Sequence, residues 1–433
     1  MASEAPAGGM VGRLFATRPG ELPAVLAGFA LFFLLFASYF MLRPVRETFG
    51  IASGVENLQW LWTATFFGAL VVVPLYGWLS RNVARRTLLP VTYLFSALVM
   101  SGFAISLRVD PDNMWAARGF YVWISVMNLF VISIAWSLMA DVFGTEQGRR
   151  LFGQIAAGAS LGGLAGPLLS GFLVAPLGHS GLLFLSVALL LATLPFAWWL
   201  LGWRTRHGQP DDSRPPEQAI GGSIWAGLVL IARTPWLMAI SLFVILLTSA
   251  TTFLYFEQAR IIEATFPDRT AQTQIFSAID ATVQALTILI QIFVTGRIAR
   301  RFGVTFLLTA VPVTMIFGFG LLALAATFPV LAGVMIARRV GEYAFVRIGR
   351  EMLFTRVDAE TKYKAKNAID TFVYRGGDLI SAWANTGLVA MGSSPLAALG
   401  GVVICAIWAV VGYSIGRRDD RAVASGGPAA NSR

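Results

Sequence analysis

The chain has 433 residues, of which 56% are hydrophobic and only 13% are charged. A typical soluble chain is about 45–50% apolar and about 25% charged, so this composition excludes a soluble enzyme. Six nearly uncharged segments each hold about 20 residues, enough to cross the bilayer core: 22–42, 57–79, 88–107, 182–201, 304–326 and 395–415. The sequence therefore predicts an all-α, polytopic membrane protein.

Taken in chain order, the apolar segments predict twelve transmembrane helices. Their approximate bounds are 22–48, 57–79, 88–108, 118–140, 152–176, 182–201, 235–256, 273–296, 304–326, 330–353, 367–391 and 395–416. The first of them is too long for the core of a signal peptide, and no small-residue cleavage site follows it. We expect it to be retained as the first span.

A long polar stretch rich in Pro, Asp and Arg separates the sixth span from the seventh, which is typical of a flexible linker. We therefore divide the chain into four parts: an N-terminal six-helix half at 1–201, a cytoplasmic linker at 202–222, a C-terminal six-helix half at 223–418 and a disordered cytoplasmic tail at 419–433.

Positive residues follow every even-numbered span, and loops rich in Lys and Arg stay on the cytoplasmic side. We therefore expect both termini in the cytoplasm, with the protein in the inner membrane. The net charge of +10 then belongs to these loops and does not indicate nucleic acid. The single Cys405 and the two loop histidines, His179 and His207, cannot build a metal centre, and we expect no metal and no cofactor.

The two halves resemble each other at their inner turns. The turn from Gly77 to Arg86 is similar to the G-x-L-x-x-R-x-x-R-R signature of the major facilitator superfamily, and Gly296 to Gly303 repeats its glycine and basic cluster. Two six-helix halves with matching loops imply a substrate site between halves that rock against each other.

Charged side chains inside the predicted spans are the candidates for function, because each costs about 2.5–3.5 kcal/mol on insertion scales. Five arginines could surround a multiply charged anion: Arg43, Arg46, Arg338, Arg339 and Arg375. Guanidinium groups bind phosphate or carboxylate in a bidentate manner, which favours a phosphorylated solute over a sugar or a cationic drug. The acidic candidates for gating or coupling are Glu47, Asp280, Glu342, Asp370 and Asp378.

Helical spacing predicts ion pairs in the tenth span. Arg338 and Glu342 are four residues apart, and so are Arg347 and Glu351, which places each pair on one face. The second pair, with Arg350, lies near the inner surface and could either gate the substrate path or only stabilise the bundle.

The eleventh span and the loop before it carry two further patterns. Asp370, Tyr374 and Asp378 recur every four residues and predict a polar stripe. All the lysines of the chain fall in one short window before this span, which predicts either a solvated loop or a site of substrate capture or gating: Lys362, Lys364 and Lys366.

Three segments resemble motifs of the ATP:ADP antiporter family, the nucleotide translocases of plastids and obligate intracellular bacteria. Tyr39 to Thr48 is similar to its Y-x-x-L-R-x-x-K-D-T, and Asp358 to Asp370 to its L-D-x-E-S-K-x-K-G-K-A-A-I-D. A weaker match, from Thr145 to Phe152, resembles its inner loop D-E-A-K-R-F-Y. The two stronger motifs occur in the right order and far apart in the chain.

The resemblance implies a twelve-helix, facilitator-like exchanger of ATP for ADP. It places Arg46 at the position of an essential lysine of the first span, Lys366 at that of the lysine opening the eleventh, and Glu257 at that of the acid of the seventh. Substrate binding would thus include Glu257 and Lys366. Asp378 stands where the family has a lysine, and this reversal of charge should disfavour a triphosphate.

We therefore predict a secondary active transporter that works by alternating access and exchanges nucleotides or another phosphorylated anion. It would be a monomer in contact with membrane lipid. No P-loop is present, which excludes a primary pump, and no catalytic constellation is found. Two alternatives stay open: a proton-coupled symporter in which Glu257, Asp280 or Glu342 titrates, and a non-transporting protein of the same fold.

Overall fold

A computed structural model describes residues 17–18, 20–207, 224–354, 359–391 and 394–425. These residues form helices joined by short turns and contain no β-strand, which confirms the all-α fold. The α-helices are α1 Leu22–Ala52, α2 Leu58–Asn82, α3 Arg85–Val109, α4 Met114–Val142, α5 Thr145–Leu191, α6 Thr193–His207, α7 Ile224–Arg233, α8 Pro235–Thr265, α9 Arg269–Ile290, α10 Gly296–Leu324, α11 Phe328–Gly341, α12 Arg347–Leu353, α13 Ala359–Ala368, α14 Tyr374–Ala390 and α15 Ser394–Ala424.

Among the described residues, eight helical runs are long and apolar enough to cross a membrane, which confirms a multi-pass membrane protein. Two of these runs contain two predicted spans each, joined at a glycine kink. Gly178 and Gly303 lie at these kinks with φ of 67° and 69°, a conformation that other residues rarely adopt. The predicted tenth and eleventh spans are charged and interrupted, so the total of twelve stays a prediction.

The chain forms two compact units. The first comprises the described residues of Met1–Ser53, Phe67–Ser213 and Asp268–Ala281, and the second those of Gly54–Phe66, Arg214–Pro267 and Thr282–Arg433. The division of the sequence at 202–222 stays a prediction. Helix α6 continues to His207, so the first residues of the predicted linker are helical, and 208–223 lie outside the described residues.

The predicted disordered tail is partly wrong, because α15 continues to Ala424. Asp420 accepts hydrogen bonds from the backbone nitrogens of Val304 and Thr305, at 2.9 and 3.0 Å. These nitrogens directly follow the kink in α10. The helix therefore extends past 418 because one of its carboxylates caps the second part of α10. Residues from 426 onward lie outside the described part of the chain.

In the first unit, α1 and α5 pack with their backbones in contact. Gly158, Gly162 and Gly166 are four residues apart and line the face of α5 that meets α1. A Cβ atom on Gly166 would lie 2.8 Å from the carbonyl oxygen of Ala37. Small residues at this spacing let membrane helices approach closely. This packing fixes the part of α1 that precedes its two arginines.

In the second unit, the charged spans contain π-helical turns, at Glu342–Val346 between α11 and α12 and at Ile369–Val373 between α13 and α14. Such turns add a residue to the helix and often occur at functional sites. The Gln291 side chain donates to the carbonyl oxygen of Tyr343 at 3.1 Å, within the first of these turns. The turns change which side chains share a face.

Two contacts in the second unit position α13 and α14. A Cβ atom on Gly227 of α7 would lie 2.6 Å from the carbonyl oxygen of Lys364, so α7 supports the lysine-bearing helix. Gly377 of α14 packs against Thr248 of α8 in the same close manner. Helix α14 is therefore held against α8 at the level of its charged residues.

Candidate functional site

In the first unit, Arg46 on α1 lies in a polar cluster with residues of α4. Its guanidinium forms an ion pair with Glu47, donates to the Ser125 hydroxyl at 3.4 Å and lies 5.5 Å from the centre of the Tyr121 ring. Cation–π contact and hydrogen bonding together hold the charge in an apolar bundle. The candidates Arg46 and Glu47 are thus direct neighbours.

Arg43, the other arginine of α1, lies near the middle of α9. Arg43 Nε is 3.7 Å from Asp280 Oδ2. One turn further along α1, the Thr48 hydroxyl lies 2.7 Å from that of Thr273. His179, beside the kink in α5, places its Nε2 3.0 Å from the same Thr273 hydroxyl. The structure therefore brings Arg43 and Asp280 together, within the first unit.

In the second unit, the predicted pair on α11 forms. Arg338 Nη1 is 2.6 Å from Glu342 Oε2 and donates to the Thr251 hydroxyl of α8 at 2.8 Å. Arg338 is 6% exposed and Arg339 is 5% exposed. A buried guanidinium needs this compensation, because a lone charge in an apolar interior is costly.

Glu257 of α8 lies in a second buried network. Its carboxylate is 3.0 Å from Arg260 Nη2, and Arg260 Nη1 donates to Asn385 Oδ1 at 3.3 Å. Asn385 is fully buried in α14. Glu257, the candidate taken from the family resemblance, is therefore balanced by an arginine of its own helix.

Arg375 and Asp378 lie one turn apart on α14, and neither has a close ionic partner among the residues that the structure describes. Half-buried Arg375 makes no hydrogen bond or ion pair with any residue that the structure describes. Asp378 is 6% exposed and accepts one long hydrogen bond, of 3.5 Å, from the Thr252 hydroxyl. The two groups interact electrostatically without forming a salt bridge.

At the other end of these spans the predicted pair of Arg347 and Glu351 is wrong. Glu351 instead lies 2.6 Å from Lys366 Nζ, and Arg347 is exposed. Both residues belong to the regular helix α12 and keep their spacing of one turn, but the Glu351 carboxylate pairs across helices with Lys366 while Arg347 stays in contact with solvent or lipid. Arg350 Nη2 is 3.1 Å from Asp370 Oδ1. The candidates Lys366 and Asp370 are thus both engaged in ion pairs between α12 and the α13–α14 span.

The predicted stripe of Asp370, Tyr374 and Asp378 forms only in part: Tyr374 and Asp378 keep their spacing in α14 and interact, whereas Asp370 does not share their face. The π-helical turn at Ile369–Val373 adds a residue between the first and second members, so the spacing of four no longer gives one face. Asp370 contacts Arg350 and Asp378 contacts Thr252. The two carboxylates therefore belong to different clusters.

A further ionic cluster ties the start of α1 to α5. Arg150 holds Glu21 in a bidentate ion pair with both distances at 2.8 Å, and Gln147 donates to the same carboxylate at 3.1 Å. Burial by itself raises the pKa of Glu21, but hydrogen bonds from Arg150, Arg18 and Gln147 outweigh it and hold that pKa below its usual value.

Replacing Glu21 by glutamine is expected to lower stability at pH 7 by about 2 kcal/mol, as for charged hydrogen bonds elsewhere. The pKa of Glu21 is lowered by folding, so its contribution is complete above the unfolded value of about 4.3 and is lost as the pH falls through the folded value. The melting temperatures of both proteins should therefore converge as the pH falls through the folded pKa of Glu21. Glu146→Gln, at an exposed ion pair, is the control and should change little. A difference that stays constant with pH would contradict the assignment.

Several residues of these clusters were not predicted from the sequence. Thr251, Thr252 and Thr273 are hydroxyl groups in apolar helices, and such residues more often bond to their own helix. Two others, Arg260 and Asn385, could have been found from their spacing along the helix. Arg260 follows Glu257 at the spacing of one turn, and Asn385 lies seven residues after Asp378, on the same helix face.

The chain is similar to curated nucleotide carriers along most of its length, which confirms the resemblance read from its motifs. It is 22% identical to ADP,ATP carrier protein 1 of Chlamydia muridarum, over 87% of this chain and 85% of the relative. It is 21% identical to ADP,ATP carrier protein 1 of Chlamydia pneumoniae, over 94% of this chain and 93% of the relative.

Solved structures show the same fold at low identity. The bacterial homologue of the iron transporter ferroportin, in its inward-facing state, matches with a TM-score of 0.68 at 13% identity, over 91% of this chain and 99% of its own. The nucleoside transporter NupG, as its D323A mutant, matches with a TM-score of 0.62 at 14% identity, over 90% of this chain and 99% of its own.

The profile of the Major Facilitator Superfamily matches residues 24–349, which is well over half of the chain. Its match spans both compact units and the arginines of α1 and α11. Together with the apolar helices and the charges inside them, this establishes a membrane transporter rather than an enzyme. The chain belongs to the Major Facilitator Superfamily.

Proposed function

We propose that this protein exchanges nucleotides, ADP and ATP first among them, or a closely related phosphorylated anion. The curated relatives are ADP,ATP carriers, and the motif of α1 resembles theirs.

The proposal rests mainly on the surroundings of the Arg375 guanidinium. A half-buried guanidinium without a hydrogen bond or ion pair in the described part of the chain is costly in an apolar bundle. An anion bound there would remove that cost, and the planar fork fits a phosphate oxygen pair. Charged residues inside membrane spans generally mark the path of a substrate.

The other arginines predicted from the sequence fit a supporting role, each within its own unit. Arg43 and Arg46 in the first unit and Arg338 in the second each have a carboxylate close by. Such pairs keep buried charges neutral, and a phosphate can compete for the arginine. Within the second unit, Arg375 would receive the anion before Arg338 because no salt bridge has to be broken first.

We also propose that the protein works as a monomer in the inner membrane, surrounded by lipid, with both termini in the cytoplasm. The distribution of basic loops supports this orientation. Alternating access is the transport mode we propose, and binding of nucleic acid has no part in it.

The test is a thermal-shift screen of the purified full-length protein, followed by exchange in liposomes. ADP and ATP should raise the melting temperature, since a ligand at a hundredfold excess over Kd stabilises by about 2.7 kcal/mol. Adenosine and glucose serve as uncharged controls. Labelled ADP should enter liposomes only when they are preloaded with unlabelled ADP. Equal shifts with adenosine, or uptake without preloading, would contradict anion exchange.

A further inference from the structure

The buried carboxylates of the candidate site differ in how their charge is balanced. Three of them form salt bridges: Glu47 with Arg46, Glu257 with Arg260 and Asp280 with Arg43. The less deeply buried Glu342 does so with Arg338. Asp378 is as deeply buried as the first three, yet no cation of the described residues forms a salt bridge with it. Its hydrogen bond from Thr252, at 3.5 Å, is at the weak limit for such a bond.

Charged and titratable groups of two helical spans interact electrostatically with Asp378. Arg375 and Tyr374 belong to its own helix, α14. Arg338 and Glu342 face it from α11 and the π-helical turn that follows. Since Arg338 and Glu342 neutralise each other at 2.6 Å, Arg375 is the cation of the described residues that chiefly offsets the charge of Asp378.

The other helices packed against α14 add no closer charge. Helix α8 presents the neutral hydroxyl of Thr252, and its charged pair of Glu257 and Arg260 lies at Asn385, two turns further along α14. Within its stretch 394–412, helix α15 carries one titratable side chain, the buried thiol of Cys405.

An anion at Arg375 would change the charge balance around Asp378. The phosphate would take up the guanidinium that now offsets the carboxylate, and it would place a second negative charge one helical turn away. Two like charges in a low-dielectric site repel each other strongly, and protonation of one of them relieves the repulsion. Asp378 is the group best placed to take up that proton.

We propose that Asp378 is a proton-binding site and that binding of the phosphorylated anion at Arg375 is coupled to protonation of Asp378. The proton comes from water and adds to a carboxylate oxygen of Asp378, and no covalent bond of the anion changes. By linkage, anion affinity rises as the pH falls. This inference rests on the proposed function and adds a coupling ion to it.

The experiment measures the Kd of ADP from pH 8 to pH 6 for the full-length protein and for Asp378→Asn. One linked proton changes the Kd by up to about tenfold per pH unit, so the wild type should bind markedly tighter at pH 6. The variant should bind at pH 8 at least as tightly as the wild type does at pH 6. Its remaining pH dependence should be that of the ADP phosphates. Asp110→Asn, an exposed loop carboxylate, should keep the wild-type profile.

Measuring the protons that the wild-type protein takes up with ADP gives a second test that does not depend on whether the variant folds. ADP added to the wild type in weakly buffered solution at pH 7.5 should draw protons from the medium, as read by a pH-sensitive dye. Asp378→Asn should take up fewer, by up to one per ADP bound. Proton uptake that is equal in the two proteins, or a Kd profile that they share, overturns the coupling and leaves anion exchange standing. If ADP binds neither protein at any pH, both proposals are wrong.

Discussion

Replacing Arg375 by glutamine is expected to reduce ADP binding and exchange by about a hundredfold or more while changing the stability of the protein little. Loss of one partner of a buried charge pair costs about 2–5 kcal/mol of binding. Stability should change little, because Arg375 has no hydrogen bond or ion pair with the described residues that the change could break, and Asp378 can take up a proton when the guanidinium that offsets it is lost. The measurements are the Kd for ADP, liposome exchange and the melting temperature without ligand.

Arg260→Gln is the matched comparison, since Arg260 lies in the same unit and is also partly buried. It holds Glu257 and Asn385, so its loss leaves a buried carboxylate unpaired and should lower the melting temperature clearly. Arg375→Gln should thus lose mainly ADP binding, whereas Arg260→Gln should lose mainly thermal stability. Normal exchange by Arg375→Gln would show that the anion binds elsewhere.

The sequence predicted the helical membrane fold because hydrophobic runs of spanning length leave few alternatives. It also predicted which residues carry charge inside the spans, since such residues stand out against an apolar background. The pair of Arg338 and Glu342 followed from helical spacing, because α11 is regular up to Gly341. Each of these predictions uses only residues that are close together in the sequence.

The partners across helices could not be predicted in the same way. The π-helical turns at Glu342–Val346 and Ile369–Val373 have no recognisable composition, and each one rotates every side chain that follows it. The partner of Glu351 depends on packing as well: Arg347 and Glu351 share a face of the regular helix α12, but Lys366 of α13 reaches Glu351 from a neighbouring helix. The surroundings of Asp378 likewise depend on the packing of α8 against α14.

The packing of α1 against α5 leads to the second strong prediction. Replacing Gly162 by alanine is expected to destabilise the protein severely, because the new Cβ atom would overlap the carbonyl oxygen of Phe33 and lie 3.0 Å from the nitrogen of Ala37. Backbone atoms cannot move aside as a flexible side chain can, so α1 and α5 must separate. Overpacking of a tight contact typically costs about 1–3 kcal/mol, and occasionally more.

Gly153→Ala on the same helix provides the control, since no atom lies within 4 Å of a Cβ atom built there. Alanine is favoured over glycine inside a helix by about 0.5–1 kcal/mol, so this variant should melt at the same or a higher temperature. The same chemical change should therefore act in opposite directions nine residues apart. Melting temperatures and monodispersity in detergent measure both effects. If Gly162→Ala melted like Gly153→Ala, the close contact between α1 and α5 would be wrong, and the placement of Arg43 and Arg46 beyond it would be wrong as well.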